Sequence, residues 1–358
     1  MEVKHITFII GGLGRGGAER VISNLANHYA RRGKRVDVIM LLNDLIEYDM
    51  EESIRAIPLC NPQKSRIQMF PLWIRGIRNY IKEDKPQLLI SFIARINIIT
   101  IIAKMCLNVR LIVSERNDPR YDGQGILVKR LSDCLYVKAD HIVFQSREIQ
   151  SLYPKRIREK SSVILNPVHV MRLDESIEQK HRIITMGRLV RQKNHRLLIH
   201  AFENVADKNR EYELYIYGEG SLREELEELV RNSRCADRIH LPGLTCNVEK
   251  ELQSGEIFVL SSDFEGLSNA LLEAMSAGLP CISTMCAGSR EVIRNGVSGI
   301  LVPIGNQEAL EEAIQQLIDH KELRERLSQG ALRESVRFTM ENVVAEWDRL
   351  IHQNIVET

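Results

Sequence analysis

What most limits the fold of this chain is its rhythm. Short apolar, β-rich runs alternate with amphipathic helical patterns along its length. His5–Ile10 reads as a strand, and Ala18–Arg32 follows as a helix with Val21, Ile22, Leu25, Ala26 and Tyr29 on one face. Strand patterns recur at Arg35–Leu42, Leu88–Phe92, Val109–Ser114 and Ile142–Gln145. Near-continuous apolar strands between helices specify a parallel sheet covered on both faces. The pattern breaks at Asn166–Pro167, and Val168–Lys180 is polar and aperiodic, as a linker would be. It then restarts, with strands at Arg182–Met186, Glu213–Tyr217, Ile239–Leu241, Ile257–Leu260, Pro280–Ser283 and Ile300–Val302. Helical patterns lie at Arg196–Ala206, Ser221–Asn232, Leu267–Ala277 and Gln307–Asp319, and the chain closes on Glu322–Arg337 and Glu341–Gln353. The fold class is α/β, with two doubly wound domains of similar size. Ligands of such sheets lie beyond the strand C-terminal ends, here in the cleft between the domains.

Composition narrows the function. At 358 residues the chain exceeds what one core usually organises. Its formal charge of +1 offers no basic excess for nucleic acid. Seven scattered cysteines without a CxxC pair read as reduced thiols, not a zinc site. The apolar stretch at the N-terminus is too short for a secretory signal. The stretch Phe92–Val113 is interrupted by Arg95, Lys104 and Arg110, which argues against a spanning helix. A cytoplasmic protein that touches a membrane without crossing it is expected.

Three segments carry chemistry. In Gly11–Arg20, glycines follow a strand and open a helix, so backbone N–H groups can approach an anion. Gly12, Gly14 and Gly17 match GxGxxG, and Asp44 ends the next strand where a ribose-binding acid would sit. A nicotinamide-dependent oxidoreductase and a ligand-free tight turn both stay open at this point. In Met186–Asn194, Arg188 and Lys193 flank a loop at the edge of the second sheet. Two cations so placed can hold a diphosphate, or can be a solvated basic loop. The third segment runs from Ser261 to Pro280. Seven residues separate Glu265 from Glu273, which places Glu273 two helical turns inward among Ala270, Leu271, Leu272, Ala274 and Met275. A carboxylate on so apolar a helix needs a partner, and a ribose diol suits. Glu265 at the helix mouth can accept from sugar hydroxyls, while the N–H groups of Gly266–Asn269 can meet a phosphate or sugar.

On these segments the chain resembles the retaining glycosyltransferases of family 4, with the GT-B fold. The matches are GGAER, GRL with QKN, and FEGLSNALLEAMSAGLP with its paired glutamates, supported by Asn166-Pro167-Val168, Leu241-Pro242-Gly243 and Gly288–Pro303. The resemblance implies two Rossmann-like domains facing each other across a cleft: residues 1–167 plus 341–358 for the acceptor, and 168–340 for the nucleotide sugar. It implies that Arg188 and Lys193 hold the donor diphosphate, Glu273 the ribose, and Glu265 the donor sugar. Gly266, Leu267, Ser268 and Asn269 would meet the sugar and distal phosphate, Gly16 and Gly17 the phosphates, and Gly243 and Leu244 the base. Relatives carry a histidine after the strand that ends Ser114-Glu115. This chain has Arg116 and Asn117 there, which with Arg15 are the candidate acceptor or sugar contacts. The segment from Ser114 to Arg120 looks like a subgroup that extends polyprenyl-linked bacterial surface glycans.

The implied reaction retains anomeric configuration by front-face attack. Fixed cations and helix ends meet the charge of the leaving diphosphate, and no metal or other cofactor is expected beyond the nucleotide-sugar co-substrate, for which the resemblance implies uridine as the base. A sugar-nucleotide epimerase is the nearest rival enzyme, and a silent partner subunit the non-enzymatic one. Lys64, Arg66, Arg75, Arg78 and Lys82 stand among Met69, Phe70, Leu72, Trp73, Ile74, Ile77 and Ile81. That mixture suits the anionic inner face of the plasma membrane, where a lipid-linked glycan acceptor would lie. An ordinary domain helix with a solvated basic face has the same composition.

Overall fold

The computed structural model describes residues 3–14, 16–121, 125–169, 171, 174 and 176–352. They fall into two compact units, one within residues 1–167 and 343–358 and one within 168–342. The first unit holds a seven-stranded parallel sheet: β1 (His5–Ile10), β2 (Arg35–Met40), β3 (Arg55–Pro58), β4 (Leu88–Phe92), β5 (Arg110–Ser114), β6 (His141–Phe144) and β7 (Ser161–Val163), in the order β3-β2-β1-β4-β5-β6-β7. The second holds β8 (Arg182–Met186), β9 (Glu213–Tyr217), β10 (Ile239–Gly243), β11 (Ile257–Leu260), β12 (Cys281–Thr284) and β13 (Ile300–Val302), in the order β10-β9-β8-β11-β12-β13. Every pairing is parallel. β1 and β4 are buried along their whole length, as strands covered on both faces must be.

Each unit repeats one winding: out from its first strand through two neighbours, then back to the other side. The strand order therefore reverses between β1 and β4, and again between β8 and β11. At such a point the loops leaving the strands diverge and open a crevice beyond their C-terminal ends.

The chain crosses between the units twice. At the first crossing the Val168 N–H donates to Phe338 O (2.9 Å), and the Met340 N–H donates back to Val168 O (3.0 Å). After the second, the Met340–His352 helix packs into the first unit. It buries Val343, Val344, Trp347, Leu350 and Ile351. Trp347 stacks on Phe92 with ring centroids 6.3 Å apart, and Arg110 donates to the carbonyls of Leu350 (2.7 Å) and Ile351 (2.5 Å).

Several elements differ from the sequence reading. β3 and β7 have no apolar run to announce them, since each is short and partly exposed. Asp44 lies four residues past the end of β2 and is exposed, so it does not end a strand. The third-motif helix spans Asn269–Ser276, not Leu267–Ala277, because the Ser268 hydroxyl caps it by accepting from the Leu271 N–H. Glu273 is thus little more than one turn inside it. The seven cysteines are free. Among the described residues no helix is long and apolar enough to cross a membrane.

Candidate active site

The second unit brings the GRL–QKN loop and the FEG loop together because they leave β8 and β11, neighbours at its reversal point. Backbone and side chains stitch the two. The Asp263 N–H donates to Gln192 O (2.9 Å), Gln192 Nε2 to Phe264 O (3.0 Å), and Ser261 Oγ to Lys193 O (3.0 Å). Asn194 is in the left-handed region (φ 43°, ψ 49°). There its side chain accepts from the Leu197 N–H and donates to Asp263 Oδ1 (2.8 Å). Asn tolerates that conformation better than most residues, so it can turn the chain and cap the next helix at once.

This stitching sets the charged groups. Lys193 Nζ sits 2.5 Å from Glu265 Oε1, with the two side chains 13% and 8% exposed. Ser262 Oγ donates to the same oxygen at 2.9 Å. Ser262 is held by its own carbonyl, which accepts from Thr284 Oγ1 (2.5 Å) and Cys286 Sγ (3.2 Å). Arg188 is exposed, and has no carboxylate partner among the described residues. Glu273 is 5% exposed between fully buried Leu272 and Ala274. Gly266, Leu267 and Ser268 are buried at the mouth of its helix, with Asn269 partly so.

Glycines allow the close backbone approaches around these loops. A Cβ on Gly218 would stand 1.9 Å from Gly187 O, and one on Gly220 would stand 2.4 Å from Leu189 O, so the backbone of 218–220 can lie against the Arg188 loop. Gly243 takes φ +86° and accepts from the Gly218 N–H (2.8 Å), while Leu244 beside it is exposed. A Cβ on Gly288 would stand 2.2 Å from Gly266 O. His195, whose Nε2 lies 3.3 Å from Arg188 O, is buried, and burial pulls its pKa down to about 4 with Lys193 adding repulsion. Ser262, Thr284, Cys286, His195 and Gly288 carry no role in the sequence reading. Gly288 stands in a quoted motif, but only its backbone neighbour shows why it is a glycine.

The remaining candidates lie in the first unit. Gly16 caps the Gly17–Arg31 helix with its backbone and accepts from the Tyr48 hydroxyl (3.0 Å). Arg15 falls outside the described residues. Arg116 does not point into solvent: it is 5% exposed, its guanidinium lies 4.5 Å over the Phe92 ring, and Nη1 donates to Asn166 Oδ1 (2.8 Å). Its Nε and Nη2 have no partner among the described residues. Burial pulls its pKa down to about 9 against the pull of Glu115. Asn117 next to it is exposed. Arg78, expected on a basic outer face, instead donates to Ala103 O and Met105 O (both 2.8 Å) and ends the Ala94–Lys104 helix.

Comparison with known proteins agrees with this architecture. Residues 15–172 match the model for Glycosyltransferase Family 4, and residues 172–334 match that for Glycosyl transferases group 1. The chain is a two-domain glycosyltransferase. It belongs to the family whose N-terminal half is the family 4 domain and whose C-terminal half is the group 1 domain. It is 28% identical, over 97% of its length and 98% of the relative's, to a Campylobacter jejuni α-1,4-N-acetyl-D-galactosaminyltransferase named for a diNAcBac-PP-undecaprenol-linked substrate. It is 27% identical to the lipopolysaccharide core biosynthesis glycosyltransferase LpsE of Rhizobium meliloti, over 92% of each chain. In fold it resembles Anabaena HepE, solved with UDP: TM-score 0.84, 16% identity, covering 98% of this chain and all of that one.

Proposed function

We propose that this protein is a retaining, metal-independent hexosyl- or N-acetylhexosaminyltransferase. It moves a sugar from a uridine diphosphate donor to a polyprenyl-diphosphate-linked glycan in bacterial surface polysaccharide assembly. One observation carries the reading: beyond β8 and β11 an exposed arginine, a lysine–glutamate pair, a capped helix N-terminus and a buried glutamate converge in one unit. Arg188 and Lys193 would hold the diphosphate, and the Gly266–Asn269 N–H groups its distal end or the sugar. Glu273 would accept from the ribose hydroxyls and Glu265 from the donor sugar. The base would lie by Gly243 and Leu244, while Gly16 and Gly17, with Arg15 and Asn117, would serve from the acceptor-binding first unit.

As the glycosidic bond breaks, its electrons pass to the diphosphate oxygen, and fixed cations stabilise that charge without reorganising. The acceptor oxygen attacks from the same face, and its proton passes to the departing phosphate. The relatives' printed substrates support the lipid-linked acceptor, and the UDP-bound structural neighbours support the donor. A thermal-shift screen of nucleotide sugars, followed by anomeric analysis of the product on a polyprenyl-diphosphate glycan, tests the whole reading. Full turnover in excess EDTA with retained configuration is expected. An inverted product, or strict dependence on a divalent ion, would refute the mechanism.

A further inference from the structure

Hydroxyls beyond β11 and β12 mostly serve the backbone. Ser261 Oγ donates to Lys193 O, Thr284 Oγ1 donates to Ser262 O, and Ser268 Oγ accepts from the Leu271 N–H. Ser262 is the exception. Its side chain is fully buried, and its hydroxyl donates to a carboxylate oxygen, Glu265 Oε1, at 2.9 Å. A buried serine that only had to be satisfied could bond a nearby carbonyl, as its neighbours do.

The carboxylate it meets is used on one side only. Oε1 accepts from both Ser262 and Lys193 Nζ. Oε2 has no hydrogen-bond partner among the described residues, yet it is not sealed from solvent. An ionised carboxylate can accept through both oxygens, so the lone pairs of Oε2 stay open to a hydroxyl donor. On a side chain only 8% exposed, little water competes for them.

The two partners of Oε1 differ in what else they can do. Lys193 has a flexible stem and three donors, so an arriving diphosphate draws it away from the carboxylate. Ser262 cannot follow. It lies two residues past β11, and its carbonyl accepts from Thr284 Oγ1 at 2.5 Å and Cys286 Sγ at 3.2 Å. Thr284 ends β12, which pairs in parallel with β11, so the serine is tied to two adjacent strand ends.

We infer that Ser262 is a positioning residue for the donor sugar. Its hydroxyl holds the Glu265 carboxylate with Oε2 turned to the sugar hydroxyls, and keeps holding it when Lys193 engages the diphosphate. This rests on the donor reading proposed above, in which Glu265 meets the sugar, and adds to it the group that aims Glu265.

Calorimetric titration of the full chain with UDP, UDP-glucose, UDP-galactose and their N-acetylhexosamine counterparts separates the sugar's share of binding from the nucleotide's. For the tightest-binding sugar nucleotide, Ser262→Ala should weaken affinity about tenfold, as loss of a hydrogen bond to a charged group does, and leave UDP within about twofold of wild type. Thr284→Val keeps the side-chain shape but releases the Ser262 carbonyl, and should act in the same direction by a smaller factor. In a Glu265→Gln background Ser262→Ala should add little, because the charge it aims is gone. A serine with a merely structural role would cost the same with or without Glu265, so additive losses would overturn the inference. Equal weakening of UDP and the sugar nucleotide would overturn it too. Wild-type binding of UDP together with an indifferent Ser262→Ala would remove this inference alone. A wild type that binds none of the five compounds would overturn the donor reading and the role of Ser262 with it.

Discussion

Lys193 and Glu265 neutralise each other in the ligand-free chain, which sets the terms on which either can serve a substrate. Both side chains are largely buried, so removing one leaves the other charge without a partner. Lys193→Met and Glu265→Gln should each cost about 3 kcal/mol of stability, and the double variant should recover much of that while remaining inactive. Urea denaturation of the three variants measures it, and strictly additive losses would show that the pair is not coupled. Arg188 is free of such an entanglement, so Arg188→Ala should leave stability nearly unchanged and lower turnover by ~100-fold or more. His195 adds a pH dependence. Its folded pKa of about 4 lies below the ordinary 6.5, so between those values the unfolded chain binds the extra proton. Stability should therefore be lost as pH falls from about 6.5 to 4, by up to about 3 kcal/mol, and change no further from this group below 4. A shallower acid limb of melting temperature against pH in His195→Gln tests the assignment. Glu273 stands out as a candidate from residue type and spacing, since a carboxylate on an apolar helix is conspicuous. The burial of Arg116 does not, because its partners Phe92 and Asn166 are 24 and 50 positions away and nothing local signals them.

At the scale of elements, the FEG loop is held as much by close backbone approach as by hydrogen bonds. The Ala287–Val292 helix comes so near Gly266 that a methyl group at position 288 has nowhere to go. Gly288→Ala should push the Gly266–Ser268 backbone out of place, costing about 1–3 kcal/mol by overpacking and lowering turnover by more than that loss of folded protein explains. A KM for the nucleotide sugar that rises in fully folded Gly288→Ala is the expected signature, and wild-type kinetics would show the loop to be tolerant. Legibility follows the same division. Strands buried on both faces, such as β1, β4 and β11, announce themselves as apolar runs. The edge strands β3 and β7 bury little, so their sequences carry no such pattern and only pairing with β2 and β6 reveals them. Helix starts were blurred by two residues at Ser268 because apolar periodicity does not register a hydroxyl cap until its N–H partner is seen.

Across the whole molecule, one winding is repeated twice, and the chain's last described helix belongs to the first unit. That helix inserts Val343, Val344, Trp347, Leu350 and Ile351, all but fully buried, into a core whose strands were completed some 180 residues earlier. At roughly 2 kcal/mol for each buried apolar side chain, its docking contributes on the order of 10 kcal/mol, an upper figure since unfolded chains already hide some of that surface. Its removal would also strip Phe92 of its stacking partner and half-buried Arg110 of the two carbonyls it binds. A whole domain is marginal by 5–15 kcal/mol, so the first unit should not survive the loss. The second unit, whose core is drawn from residues 183–327, shares none of these contacts. A chain ending after Asn342 should therefore show one calorimetric transition where the full chain shows two, with Trp73 emission already shifted to that of an exposed indole. If Trp73 still reported a native environment, the first unit would be self-sufficient and the returning helix an accessory to it.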